Sequence, residues 1–256
     1  MFRQELPRVY ELRDLISDPS ASGAYFQDFD NSICNEPSKK RTWRAWEDEF
    51  QQLDSDSWQF LKSETLPYLT KQDARGRGWE QLVAILNHAR AYNFLVDTGC
   101  SRVHFIPRAS QEGRKTPDLE GELNGRRVLC EVKTVNTSDK EVDRRQTGKV
   151  GSTADCLDVG FFKKLMSDLC TAKDQIESYD DSASVRRIAF LVLNFDDFLA
   201  EYKDKYFQQI DQYLAYNSIP GLEIVFYNQR TCFHSSLSMQ HAAVVNQPGK
   251  PYIQAE

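Results

Sequence analysis

The pair Asn124-Gly125 lies between two segments of alternating character, "DLEGEL" and "RRVLCEVK". A two-residue type I′ hairpin turn needs positive φ at both central residues, and Asn-Gly meets that need at little steric cost. Such a turn also fixes register: Leu123 faces Arg126, Glu122 faces Arg127, Glu120 faces Leu129 and Asp118 faces Glu131. Side chains alternate between the faces of a strand, so Leu119, Gly121, Val128 and Cys130 share a face suited to a core. The other face carries Asp118 and Glu131 directly opposed, with Lys133 two residues further on, about 6.5 Å along the strand.

Like charges opposed across a ladder are destabilising. Two carboxylates a few ångströms apart must share a proton or take up a cation. A divalent ion resolves the conflict, and hard oxygen donors suit magnesium or manganese. Magnesium in particular takes only one or two protein carboxylates and completes its shell with water and substrate phosphate. Each dipeptide also has a plain structural account, since Pro-Asp starts turns and Glu-x-Lys occurs on exposed strands. What couples them here is the turn that sets the register.

Around this hairpin the expected class is α/β. Residues 1–72 read as a helical N-terminal extension in which Trp43, Trp46 and Phe50 follow helical spacing, a packing stripe rather than a base-stacking platform. "ARGRG" marks a boundary. A core over residues 73–230 then begins with an amphipathic helix from Trp79 to near Gly99, with Glu80 in its first turn. "RVHFIP" is a short strand ahead of the hairpin, and the polar stretch after Lys133 has no periodicity and is expected to be a mobile loop. Helical spacing resumes from Phe161 to Tyr179, "RIAFLVLNF" reads as a strand buried on both faces, a helix is expected from about Asp196 to Tyr216, and "GLEIVFYN" is a further strand. The order implies a mixed sheet flanked by helices, with residues 231–256 as a tail.

Pro117-Asp118 followed by Glu131-Val132-Lys133 resembles the signature of the PD-(D/E)XK nuclease superfamily, and the likeness extends over about Trp79 to Asn194. "QIESY" adds Gln175 and Tyr179 in the Q-x-x-x-Y arrangement of RecB-like members, one turn apart on a helix. The resemblance implies a restriction-endonuclease-like αβββαβ core. It implies that Asp118 and Glu131 hold magnesium, or manganese in its place, with Glu80 completing the shell. Lys133 would orient or help deprotonate the attacking water, while Gln175 and Tyr179 would steady the site or the phosphate. Phosphodiester hydrolysis places negative charge on phosphoryl oxygens, so a cation and a fixed ammonium there favour the transition state. The implied activity is DNA hydrolysis, endonucleolytic action being favoured, and DNA is preferred to RNA on the resemblance alone. A non-catalytic nucleic-acid-binding or assembly subunit on the same fold is the alternative, and a protein-interaction domain centred on the N-terminal helices is a third.

A net charge of −6 argues against indiscriminate coating of nucleic acid, yet residues 71–150 hold 15 Lys/Arg against 11 Asp/Glu. Arg77, Arg108, Arg114, Lys115, Arg144 and Arg145 would line a phosphate track beside the site. The four histidines share no spacing, and the cysteines form no C-x-x-C pair, so neither zinc nor a disulfide framework is indicated. Neither a G-x-x-x-x-G-K-[ST] loop nor a G-x-S-x-G elbow occurs. With no leader-like start and no long apolar run, the expected location is cytoplasmic, without membrane contact. Homodimerisation or a partner protein would engage the N-terminal helices.

Overall fold

The computed structural model describes residues 2–72, 77–108, 115–136, 139–148, 155–193, 202–228 and 231–234. The chain opens with five helices: α1 (Phe2–Glu5), α2 (Pro7–Arg13), α3 (Phe29–Asn35), α4 (Pro37–Gln51) and α5 (Ser55–Thr65). Local chemistry sets several of their ends. Pro37 stands in the first turn of α4, where a missing N–H costs nothing, and Asp54 caps α5 by accepting from the Ser57 N–H at 2.7 Å. The aromatic stripe of α4 is buried, Trp43 packing against Tyr25, Phe26 and Phe29 and Trp46 stacking on Phe50. These rings belong to the same hydrophobic cluster as the sheet residues Leu119, Cys130 and Phe190, so the helical extension is joined to the sheet through a common core.

Helix α6 (Glu80–Asp97) buries Leu82, Ile85, Leu86 and Ala89. It stops at Gly99, whose φ of 88° lets the Cys100 N–H turn back to the Leu95 carbonyl at 2.9 Å. Strands β1 (Ser101–Phe105), β2 (Leu119–Leu123) and β3 (Arg126–Val135) follow as an antiparallel meander. The β2–β3 pairs run from Leu123 with Arg126 to Leu119 with Cys130, the register expected from the turn. Asn124 and Gly125 have φ of 51° and 75°, as a type I′ turn demands.

Residues 134–155 are not the featureless loop expected of them: Asp139–Thr147 form helix α7. Its sequence is so polar that Val142 is its one apolar residue, which is why no hydrophobic period betrayed it. Helix α8 (Val159–Tyr179), capped by Asp158 on the Phe161 N–H at 2.8 Å, carries the chain back to strand β4 (Arg186–Leu193), parallel to β3. Helix α9 (Lys203–Tyr216) returns it to the parallel strand β5 (Glu223–Asn228). The start once expected for α9 near Asp196 lies outside the described residues. Thr231–His234, expected to begin the tail, form β6 antiparallel to β5.

The result is a six-stranded mixed sheet in the order β1-β2-β3-β4-β5-β6. Its alternation assigns each face a core. Cys130, Val132 and Phe190 face α6, while Val135, Leu191 and Leu193 meet Leu165 and Leu169 of α8 and Ile210 of α9. Leu129, on the carboxylate side, is also fully buried, against Ile106, Ile176 and Val185. The base of the hairpin is therefore covered on both sides, and Glu131 and Lys133 lie on the face that α8 covers. No helix among the described residues is long and apolar enough to cross a membrane.

Candidate active site

Asp118 stands just before β2. Its N–H donates to the Cys130 carbonyl at 3.1 Å and its carbonyl accepts from the Ile106 N–H at 2.9 Å, so its backbone is tied to both neighbouring segments. Its Oδ2 accepts from the Val132 N–H at 2.7 Å, fixing the carboxylate beside the strand that carries Glu131. Glu131 is 2 % exposed. Its Oε1 accepts from Lys133 Nζ at 2.6 Å, whereas among the described residues its Oε2 has no hydrogen-bond partner. The Lys133 ammonium also donates to Gln175 Oε1 at 2.8 Å. Helix α8 thus places Gln175 over the strand exit, and the lysine is held between an acid and an amide.

Burial pushes the Glu131 carboxyl up to about 8, the charge of Asp118 adds to that rise, and Lys133 opposes it without prevailing. The consequence for stability follows in sign. A carboxyl whose folded pKa exceeds its unfolded value of 4.5 stabilises the fold fully below that pH and loses the contribution as pH rises towards 8. Metal-free protein should therefore lose on the order of 4 to 5 kcal/mol of folding stability over that window from this group. Urea midpoints measured at intervals between the two pH values check this, and Glu131→Gln should flatten the slope. A wild-type profile that is already flat would contradict it.

His88 of α6 was not among the candidates, yet its Nε2 lies 3.8 Å from Asp118 Oδ1. Its neighbour Asn87 is fully buried and donates to Thr134 Oγ1 at 3.0 Å. Consecutive polar residues in the middle of "VAILNHARAYNFL" were the available signal, since an apolar helix face rarely tolerates them without partners. His104, by contrast, sits with its Nδ1 2.9 Å from the nearby Arg102 carbonyl.

Glu80 is placed otherwise than expected: its Oε2 accepts from Arg77 Nη1 at 3.1 Å, and Arg77 also pairs with Asp139 at the start of α7. Among the described residues no three His, Cys, Asp or Glu side chains gather into a metal-ligating group, so Glu80, Asp118 and Glu131 do not form a three-acid shell. Tyr179 is half-buried, its ring 5.3 Å from the Arg127 guanidinium carbon. Arg108 pairs with Glu64 at 3.0 Å while remaining 69 % exposed, and Lys115 is exposed. Arg144 is half-buried on α7, the Arg145 side chain is outside the described set, and so is Arg114 altogether.

The fit of a divalent cation can be judged from these atoms. Glu131 Oε2 is buried and, among the described residues, without a hydrogen-bond partner, Asp118 Oδ1 lies 3.8 Å from the His88 imidazole, and burial together with the charge of Asp118 raises the cost of ionising Glu131. Hard oxygen donors numbering two at most, with an imidazole beside them, suit an ion that keeps much of its shell for water and phosphate. No family model matches the chain, and neither a curated protein nor a solved structure matches it.

Proposed function

We propose that the chain is a metal-dependent nuclease of the PD-(D/E)XK type. The observation that carries the reading is the contact of the Lys133 ammonium with buried Glu131 at 2.6 Å, beside Asp118 on one side and Gln175 on the other. Two costly acids and a cation packed into one corner have little structural use, because an apolar or uncharged set would fold at least as well. The order α6, β1, β2, β3, α8, β4, interrupted among the described residues only by α7, supports a restriction-endonuclease-like core.

Asp118 and Glu131 would hold magnesium or manganese, with the His88 imidazole standing 3.8 Å from Asp118 Oδ1. When bound, the ion supplies charge neutralisation at the phosphoryl oxygens and makes water at the site more acidic. The chain's own residues do the rest. The Val132 N–H keeps Asp118 aimed, and Gln175 restrains the Lys133 ammonium so that it meets the attacking water or a phosphoryl oxygen without reorganising. Lys115 and Arg108 offer exposed positive charge for the phosphate backbone. DNA is preferred to RNA as substrate on the resemblance alone.

The test incubates purified protein with supercoiled plasmid and with single-stranded DNA in magnesium, in manganese and in excess chelator. Cleavage with either ion and none with chelator is expected. DNA binding without cleavage under every condition would favour the non-catalytic subunit instead.

A further inference from the structure

Gln175 can restrain Lys133 only if the end of α8 is itself fixed, and helix ends fray. One side chain, absent from the cations considered for phosphate binding, secures it. Arg127 lies on the same face of β3 as Leu129, Glu131 and Lys133. Its Nε and Nη2 donate to the two carboxylate oxygens of Glu120 on β2, at 2.8 and 2.7 Å. Its Nη1 donates to Asp180 Oδ2 at 2.6 Å, the residue that closes α8. Its guanidinium carbon lies 5.3 Å from the ring centre of Tyr179, in the last turn of that helix.

Three elements therefore meet on one planar fork, which presents five N–H donors in fixed directions that an ammonium cannot reproduce. Between this clamp and Gln175, Ile176 of α8 packs on Leu129 of β3. The helix end is thus pinned to the same strand whose next two outward residues on that face are Glu131 and Lys133.

We infer that Arg127 is a positioning residue: by tying the last turn of α8 to the hairpin through Glu120, Tyr179 and Asp180, it sets the height at which Gln175 holds Lys133. The inference rests on the nuclease reading of the site. It gives Tyr179 of the Q-x-x-x-Y element a role as a surface for the clamp, rather than as a group that touches phosphate. Arg127 is itself 36 % exposed, but its donors are turned to carboxylates, and a phosphate would have to displace them.

A double-mutant cycle with Arg127→Met and Gln175→Ala, measured on a DNA substrate at saturation, tests it. Each single change should lower kcat by about 10- to 100-fold with KM altered by no more than about twofold. The double variant should lose no more than the worse single, because both act through one contact. The rate at which Lys133 is acylated by an amine-reactive reagent, followed by peptide mass mapping, should rise in Arg127→Met, and this readout needs no turnover. If Arg127→Met does not fold, Glu120→Gln loosens the same clamp and takes its place.

Multiplicative losses, a raised KM with unchanged kcat, or unaltered Lys133 acylation would overturn the positioning role while leaving the nuclease reading intact. Wild-type protein that never cuts DNA would retire the nuclease reading, and the positioning role with it.

Discussion

Glu131→Gln is expected to abolish metal-dependent cleavage while stabilising the metal-free protein near pH 8. The two effects have one origin. Glu131 is buried beside Asp118 and its Oε2 lacks a hydrogen-bond partner among the described residues, so ionising it in the folded chain is unfavourable. An amide of the same shape removes that charge, can still accept from Lys133, and removes the conflict with Asp118. It also removes the anionic oxygen that would hold the cation. Loss of a preorganised charge at the reacting phosphate costs at least about 1000-fold in rate on the scale of electrostatic stabilisation at such sites. Single-turnover cleavage and urea midpoints at pH 8 measure both halves. Unchanged cleavage would move the chemistry elsewhere, and a lower midpoint would mean that Glu131 is structural.

Lys133→Ala should be nearly as damaging to turnover and far milder for ion binding. The ammonium is held at 2.6 and 2.8 Å by groups from β3 and α8, so it acts on the substrate from a fixed place. A fixed donor of this kind contributes roughly 100- to 1000-fold to kcat. Because the lysine is not an acceptor for a cation, the metal concentration giving half-maximal cleavage should change little. Steady-state kinetics across a magnesium titration separate the two quantities. A large shift in metal requirement with kcat preserved would assign Lys133 a purely electrostatic part in holding the acids.

Much of this site was legible because a two-residue turn leaves no freedom of register. Once Asn124 and Gly125 take positive φ, parity alone aligns Glu131 and Lys133, and Asp118 meets them at the end of the ladder. Gln175 was named through the likeness of "QIESY" to the Q-x-x-x-Y element and not through any period of the helix, and α8 brings its Oε1 to 2.8 Å from the Lys133 ammonium. What failed to show was whatever depends on how elements are rotated against one another. The approach of His88 to Asp118 joins residues thirty positions apart and is set by the roll of α6 on the sheet, which periodicity does not specify. Glu80 satisfied the pattern for a metal ligand, and its carboxylate pairs with Arg77, three residues earlier on the chain. Helix α7 escaped notice because its polar sequence carries no apolar stripe. The aromatic residues of α4 were legible as packing, though not as part of the same core as the sheet.

The account stands or falls on whether Asp118 and Glu131 hold a divalent cation together. Manganese titration of the metal-free protein, following the paramagnetic resonance signal of the free ion, measures this without requiring catalysis. Wild type should remove manganese from solution at a site that disappears in Asp118→Ala and is left in place by Lys133→Ala. Uptake that is absent from wild type, or equally strong in Asp118→Ala, would contradict the account.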